Sequence, residues 1–454
     1  MTTTPTAPEI PTDPATGPSA GLAALELDAD RAAREHGGVD PVTGIALPTE
    51  KAGWKLVVPF AIAQFTLFIA LLGPVMVSMA IKVQSLVGAE NATTAQGVVL
   101  GVGAIAALVA NPIAGRLSDR TRGRFGRRRP WMIGGAVGLA LCLLAIALAP
   151  SVPVLIVAWF CAQLSANAAF AAYLATVADQ IPPKQTATIT ALGGVMQNVG
   201  VLGALFLAQL LTTNMIALFM VPGVIGVIGM VFYALVLPDA ELKRRPPSEG
   251  WRAFLSTFWI NPLKHRDFGL AWISRFLLIL GTFMFTTFRF NWMVTEIKMD
   301  SATAVSTILV GTLIYTGVLV VCGQIAGVVS DKLGRRKFGV FLSVALTAVG
   351  LLALTQVTTV GHFYLVEAVL GAAYGIYMGV DLALVLAVLP NQKDAAKDLG
   401  VFNIANAAPQ SLAPFLGAAL LALGAGNNFD ALYVVAAIVT FVGALAIIPV
   451  KKVK

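Results

Sequence analysis

Two apolar stretches of this sequence carry ionisable side chains at spacings that place them on single helix faces. Arg275, Thr282, Thr286 and Arg289 follow one another at intervals of 7, 4 and 3 within residues 268–293. Glu367, Tyr374, Met378 and Asp381 repeat the same intervals within residues 361–389. Such intervals return to one side of an α-helix. A charge in an apolar interior costs at least about 2.5–3.5 kcal/mol, so each of these groups needs a partner, a water-filled cavity or a task. A carboxylate facing a guanidinium can bind a proton and release its partner. Arg275 and Asp381 lie roughly 10 and 12 Å from the same-side ends of their runs, by the rise of an α-helix. They are therefore expected to face and couple with each other, with Glu367 and Arg289 as further charged candidates. Plainer readings stay open: Arg275 could snorkel to headgroups, Glu367 and Arg289 could be solvated near the other interface, and Asp381 could be a structural cap or pair.

Neutral amides form a second set. Gln64, Gln163, Asn167, Gln197 and Asn198 lie in the first half of the chain, and Asn403, Asn406 and Gln410 share one face of a later run. Amides hydrogen-bond polar solutes without the cost of a charge, and they also join helices in lipid for under about 2 kcal/mol each. With Tyr374, the amides Gln64, Gln163, Asn167, Asn198, Asn403, Asn406 and Gln410 are candidates for lining a polar cavity.

The elements that must position these groups are membrane helices. The chain has 454 residues, of which 57% are hydrophobic and 12% charged, and its mean hydropathy is +0.82. Soluble domains carry about 25% charged residues, and apolar runs of about 20 residues mark membrane spans. The expected fold is an all-α integral membrane protein with twelve transmembrane helices: 56–80, 95–117, 130–150, 153–179, 188–211, 215–237, 268–293, 303–330, 338–357, 361–389, 398–423 and 430–449. Backbone polar groups in lipid must be satisfied within the segment, which selects helices over open sheets, and the runs lack the alternation of a membrane barrel. Residues 1–53 read as a disordered cytoplasmic tail. Residues 54–237 and 268–450 read as two six-helix halves, 238–267 as a cytoplasmic linker and 451–454 as a basic tail. Trp251 to Trp259 could be an interfacial helix or plain linker. Cys142, Cys161 and Cys322 sit in apolar runs, as small buried hydrophobes would.

Between the second and third runs, residues 115–130 hold seven arginines and one acid, Asp119. A weaker copy starts at Gly327, 212 positions after Gly115, and Asp331 follows Asp119 by the same offset. A duplicated six-helix unit in one orientation is a parallel repeat. Short loops rich in Lys and Arg face the cytoplasm, so both termini are expected inside, leaving only Lys82 and Lys298 in outer loops. Gly115 would permit close helix approach. Asp119 would accept hydrogen bonds from a neighbouring helix N-terminus, while Arg120, Arg127 and Arg128 would pair with acids such as Asp179. Asp331 and Arg335 would be their second-copy equivalents. Together these form a latch that makes and breaks as one side closes and opens. The competing reading is that the arginines only set topology and touch anionic headgroups.

Both loops match the Gly-x-x-x-Asp-Arg-x-Gly-Arg-Arg motif, so residues 54–450 resemble the major facilitator superfamily. The first copy, from Ser118 to Trp131, is similar to the sucrose-transporter and glycoside–pentoside–hexuronide branches, which move sugars with H⁺ or Na⁺. Asp381-Leu-Ala-Leu-Val, Leu389-Pro-Asn, the stretch Lys397 to Asn406 and Pro409-Gln-Ser-Leu resemble bacterial relatives of sugar cation symporters. The resemblance implies a monomeric secondary transporter in the plasma (inner) membrane, with the first, fourth, seventh and tenth helices lining the cavity. It implies a sugar or glycoside as substrate and no cofactor. Na⁺-coupled melibiose-type members carry two carboxylates where this chain has Ala107 and Asn111, which favours H⁺. Efflux of drugs or metabolites is the alternative within transport, and a transporter-like receptor or scaffold the alternative outside it. The positive charge lies in short loops beside apolar runs, which argues against nucleic acid as partner. No metal-ligand spacing, phosphate loop or catalytic constellation points to an enzyme.

Overall fold

A computed structural model describes residues 50–239, 264–333, 335–389, 395–423 and 427–451, with residues 48, 241 and 453. The expected tail before residue 48, most of the linker (with the Trp251–Trp259 segment) and the side chains of Asp331 and Asn403 lie outside the described residues. Among the described residues there are twelve α-helices: α1 (Trp54–Gly73), α2 (Met79–Arg120), α3 (Arg129–Leu148), α4 (Val152–Gln180), α5 (Pro183–Leu211), α6 (Met215–Val236), α7 (Arg266–Thr295), α8 (Ser301–Leu333), α9 (Arg336–Ala353), α10 (Val360–Val388), α11 (Ala395–Leu421) and α12 (Phe429–Ile447).

The first two spans depart most from expectation. A π-helical turn, Pro74–Ser78, carries α1 into α2 without a loop, and the helical stretch Trp54–Arg120 is 67 residues long. A straight rod of that length would be about 100 Å, against a hydrocarbon core of about 30 Å. Gly88 breaks it, with φ at +76°, a conformation that glycine adopts without steric cost. Residues 81–94, expected as a loop, are thus helix on either side of one reversal point. Lys82, expected in an outer loop, is instead buried there and donates its ammonium to the carbonyl of Ala147 near the end of α3 (2.9 Å). None of the three cysteines is fully buried, and Cys161 is exposed.

Helix packing repeats with an offset of six. In the first half α1 packs on α5 and α6, α2 on α4, and α3 on α4 and α6; in the second α7 packs on α11 and α12, α8 on α10, and α9 on α10 and α12. The halves join through α2 with α11 and α5 with α8, two contacts that the same offset interchanges. This reproduces in space the 212-residue repeat of the sequence.

The halves meet at one end of the bundle only in part of its depth. The end bearing the 121–128 loop is called the basic end here, and the opposite one the far end. At the far end, an added methyl on Gly97 would collide with Ala418 and lie 2.8 Å from the Pro414 carbonyl, and one on Gly101 would strike the Phe415 ring. Four hydrogen bonds cross between the halves nearby: Thr93 to Asn427 (2.5 Å), Asn427 to the Glu90 carbonyl (3.4 Å), Gln96 to the Thr287 carbonyl (2.9 Å) and Ser411 to the Ala104 carbonyl (3.2 Å). Gly115 lies 18 residues beyond Gly97, five turns at 3.6 residues each, so it shares that face about 27 Å further along. A methyl on Gly115 would meet nothing within 4 Å. The face that seals α2 against α11 at the far end therefore looks onto open space at the basic end. The close approach expected at Gly115 is not made in this conformation.

Candidate functional site

The α7 and α10 helices run antiparallel, and the two charged quartets become two ion pairs. Arg275 donates to Asp381 through a short charge-assisted bond. Arg289 donates to Glu367 at 2.7 Å and to the Thr312 hydroxyl of α8 at 3.2 Å. In each helix the charged residues are 14 positions apart (289 − 275 and 381 − 367), about 21 Å of helix. The pairs are thus rungs of one ladder, one toward each end. Expectation is met for Arg275 with Asp381. For Arg289 and Glu367 the solvated reading fails: both are buried, at 4% and 2% exposure.

The two rungs differ in access. The Arg275 side chain is 15% exposed and Asp381 8%, against 5% and 2% for Arg289 and Glu367. The first rung lies toward the basic end; the second lies beneath the far-end seal, two residues from the Thr287 carbonyl that Gln96 holds. Aromatic rings surround both. Arg275 stands 4.8 Å from the Phe402 ring centre and 5.9 Å from that of Tyr377, and Arg289 lies 5.7 Å from Phe285. A cation over a ring face gains about 0.5–2 kcal/mol, so the rings share the load of holding these guanidiniums. Tyr374 sits midway between the rungs, its ring centre 6.4 Å from Tyr315 and 6.0 Å from Tyr377. Thr282 and Thr286 occupy the half-buried face of α7 and bond back to their own helix. Met378 is exposed.

The amides scatter. Gln64 is buried with its carbonyl oxygen lacking a partner among the described residues, a site that a bound polar group could satisfy. Asn167 donates to the backbone and side-chain oxygens of Gln163 one turn earlier, at 2.9 and 3.2 Å. Asn198 is exposed and spends its amide on the Gly194 carbonyl (2.9 Å). Asn406 is half-buried and Gln410 exposed. Asn198 and Gln410 thus stand on exposed helix faces, unlike the buried Glu367 and Asp381 of the α7–α10 ladder.

The basic loop is tied to the ends of α4 and α6. Arg128 bridges Asp119 (2.6 Å) and Asp179 (2.8 Å), and Arg127 also reaches Asp179 (2.6 Å). Burial works against the charge on Arg128, but the Asp179 and Asp119 carboxylates outweigh it and hold its pKa above the ordinary value. One expectation is corrected. The carboxylate at a helix N-terminus is not Asp119 but Asp239, just past α6, which accepts the backbone N–H groups of Arg128 (2.7 Å) and Arg129 (2.9 Å) at the start of α3. Arg128 occupies Asp119 instead. Gly126 makes this possible: its φ is +86°, and an added Cβ would lie 2.7 Å from that of Asp239. The signal for Asp239 was an acid placed just after the sixth run, at the end where the arginines cluster. Arg120 also has an interaction partner. In the second copy Arg336 donates to the Ala383 carbonyl (3.3 Å), while Arg335 is exposed.

Comparison with known proteins agrees with this architecture. A 45-residue stretch, 10% of this chain, is 56% identical to an uncharacterized symporter, sll1374, of Synechocystis, and spans 8% of that protein. The nucleoside transporter NupG, solved as a point mutant, superposes with a TM-score of 0.69 at 13% identity, over 87% of this chain and 99% of its own. The human organic anion transporter MFSD10 gives 0.61 at 15% identity, with the same coverages. At such identities the likeness is one of fold. The family model of the Major Facilitator Superfamily matches residues 60–327 and 271–454. Twelve helices in two repeated halves, with a charged ladder inside one of them, therefore belong to a multi-pass membrane transporter of the Major Facilitator Superfamily.

Proposed function

We propose that the protein imports a sugar or glycoside together with protons by alternating access, as a monomer in the plasma (inner) membrane with its basic end in the cytoplasm. The observation that carries this reading is the Arg275–Asp381 pair, the more exposed of the two rungs and the one toward the end where Gly115 faces open space. A proton on Asp381 removes the charge that holds Arg275. Loss of that proton to the cytoplasm restores the pair, and the paired state is the one this structure holds. Solute and proton then enter from the far end when its seal opens. The lone charged rung near the mouth suits one proton per cycle, and Ala107 and Asn111 offer too few hard oxygens for Na⁺. The symporter with which a short stretch is shared supports coupled uptake. The lysines and arginines of the basic end support the orientation.

The substrate class is tested by solute counterflow in proteoliposomes, which needs no ion gradient. Labelled sucrose, maltose, a pentose and a hexuronate are compared with a nucleoside and an organic anion, the solutes named for the two transporters of like fold. Exchange of a sugar is expected. Exchange of the nucleoside or anion alone moves the substrate class, and exchange of none from folded protein refutes uptake of these solutes altogether.

A further inference from the structure

The two halves repeat in helix packing but not in how they treat the start of their third helix. In the first half the N-terminus of α3 is neutralised by a carboxylate, Asp239, three residues beyond the end of α6. Asp239 plus the 212-residue offset is Lys451. The acid that serves α3 thus has a lysine as its counterpart in the repeat. The neighbouring acid, Asp267, accepts the Lys451 backbone N–H (3.1 Å). The N-cap residue of α9, Arg335, makes no side-chain capping bond. Lys337 donates to the carbonyl of Val450 (3.0 Å) and lines a cavity of about 260 Å³ between α9 and the end of α12. That cavity is lined by Arg335, Lys337, Phe338, Phe341, Ile447 and Ile448. Two cations thus share one cleft with four apolar side chains, near the ends of two membrane-spanning helices.

We propose that this cleft binds the headgroup phosphate of an anionic phospholipid, with its acyl chain along Phe338, Phe341, Ile447 and Ile448. The lipid supplies in the second half the negative charge that Asp239 supplies in the first. A helix start carries partial positive charge, and here Arg335 and Lys337 add to it. A free phosphate would satisfy the cations but leave the apolar lining unused.

The test is native mass spectrometry and thermal melting of the full chain in neutral detergent, with phosphatidylglycerol, phosphatidylcholine or inorganic phosphate added. The wild type should retain phosphatidylglycerol about 30-fold better than phosphatidylcholine, two charges at about 1 kcal/mol each, and should melt higher with it. Arg335→Gln with Lys337→Gln should lose both the preference and the shift while melting normally in phosphatidylcholine. Arg122→Gln with Arg124→Gln, which removes equal charge from the same end of the other half, should keep both. Equal loss in the two double variants would show diffuse surface attraction and overturn the site. An equal shift from inorganic phosphate would overturn the lipid, and unchanged retention in Arg335→Gln with Lys337→Gln would overturn the cations.

Discussion

Asp381→Asn keeps the shape of the side chain and removes its charge. Arg275 is then left between the Phe402 and Tyr377 rings without a counter-ion. Removing one partner of a buried pair costs about 3–5 kcal/mol. The guanidinium keeps some contact with the open side, its side chain being 15% exposed, so the lower end of that range applies. The transport effect is separate and larger. At 100 mV, one charge moved per solute is worth about 2.3 kcal/mol, which sustains roughly 45-fold accumulation at tenfold per 1.4 kcal/mol. Proteoliposomes with an imposed potential and pH gradient should reach that order with the wild type. The variant should equilibrate without accumulating, yet still exchange solute in counterflow. Adding Arg275→Gln removes the orphaned charge and should recover thermal stability, but not accumulation. Uphill transport by Asp381→Asn at the wild-type level refutes the coupling role. Recovery of accumulation in the double variant shows that the pair only holds helices together.

Three further outcomes follow from the geometry. Gly97→Leu drives a side chain into Ala418 and the Pro414 carbonyl; overpacking costs about 1–3 kcal/mol, so spin labels at positions 93 and 427 should move apart and net transport should stop, whereas an unchanged distance would show that this contact is not a seal. Asp239→Ala should lower stability by about 1–3 kcal/mol through two orphaned N–H groups, and Gly126→Ala should cost less in that background than alone, because the Asp239 side chain is what its methyl would strike; additive melting shifts would contradict this. Asp300, exposed at the start of α8, accepts the Thr303 hydroxyl (2.5 Å) and the Ala302 and Thr303 N–H groups (both 3.0 Å), and the Thr303 hydroxyl bond above all holds it below the usual carboxylate range. A depressed folded pKa gives stability that is present above the unfolded value of about 3.9 and lost as pH falls through the folded one. Amide exchange in the first turn of α8 should therefore quicken in Asp300→Ala at neutral pH, with the difference from wild type vanishing in strong acid.

How much the sequence disclosed follows from the solvent it folds in. Lipid satisfies no backbone group, so each span had to be a long apolar helix, and ten of the twelve runs are separate helices close to where hydropathy put them. Gly88 escaped because a single residue at positive φ turns the chain without the polar loop that reversal usually needs. Lys82 looked like a loop charge for the same reason. The Arg275–Asp381 pairing was legible because charges in lipid are expensive and their distances from the same membrane face can be counted. Its surroundings were not. Phe402 and Tyr377 are unremarkable in an apolar run, and only packing brings α11 over Arg275. Thr312 likewise gives no sequence sign that it serves Arg289. The amides stay a set of candidates: Asn167 and Asn198 bond to groups one turn away, which spacing alone does not distinguish from facing a cavity.

The repeat explains why charge is distributed so unequally. Both halves inherit one packing scheme, so any difference between them reflects what each was left to do. In the first half the acids Asp119, Asp179 and Asp239 gather at the basic end, where they bind arginines and make one rigid cap across α2, α3, α4 and α6. No carboxylate of that half is placed inside its core among the described residues, and its interior carries amides. In the second half Glu367 and Asp381 sit inside, between α7 and α10. A rigid cap beside a charged, partly accessible interior is a division between a half that holds its shape and a half whose internal charge can change. The proposed coupling needs a buried acid that can reach water, and of the two carboxylates Asp381 is the more exposed, at 8% against 2% for Glu367. The Glu367 rung, sealed and bonded through Arg289 to Thr312, is fit to hold α7, α8 and α10 together under the far-end seal. Glu367→Gln should therefore lower stability and loosen that seal, while leaving the pH dependence of transport with Asp381.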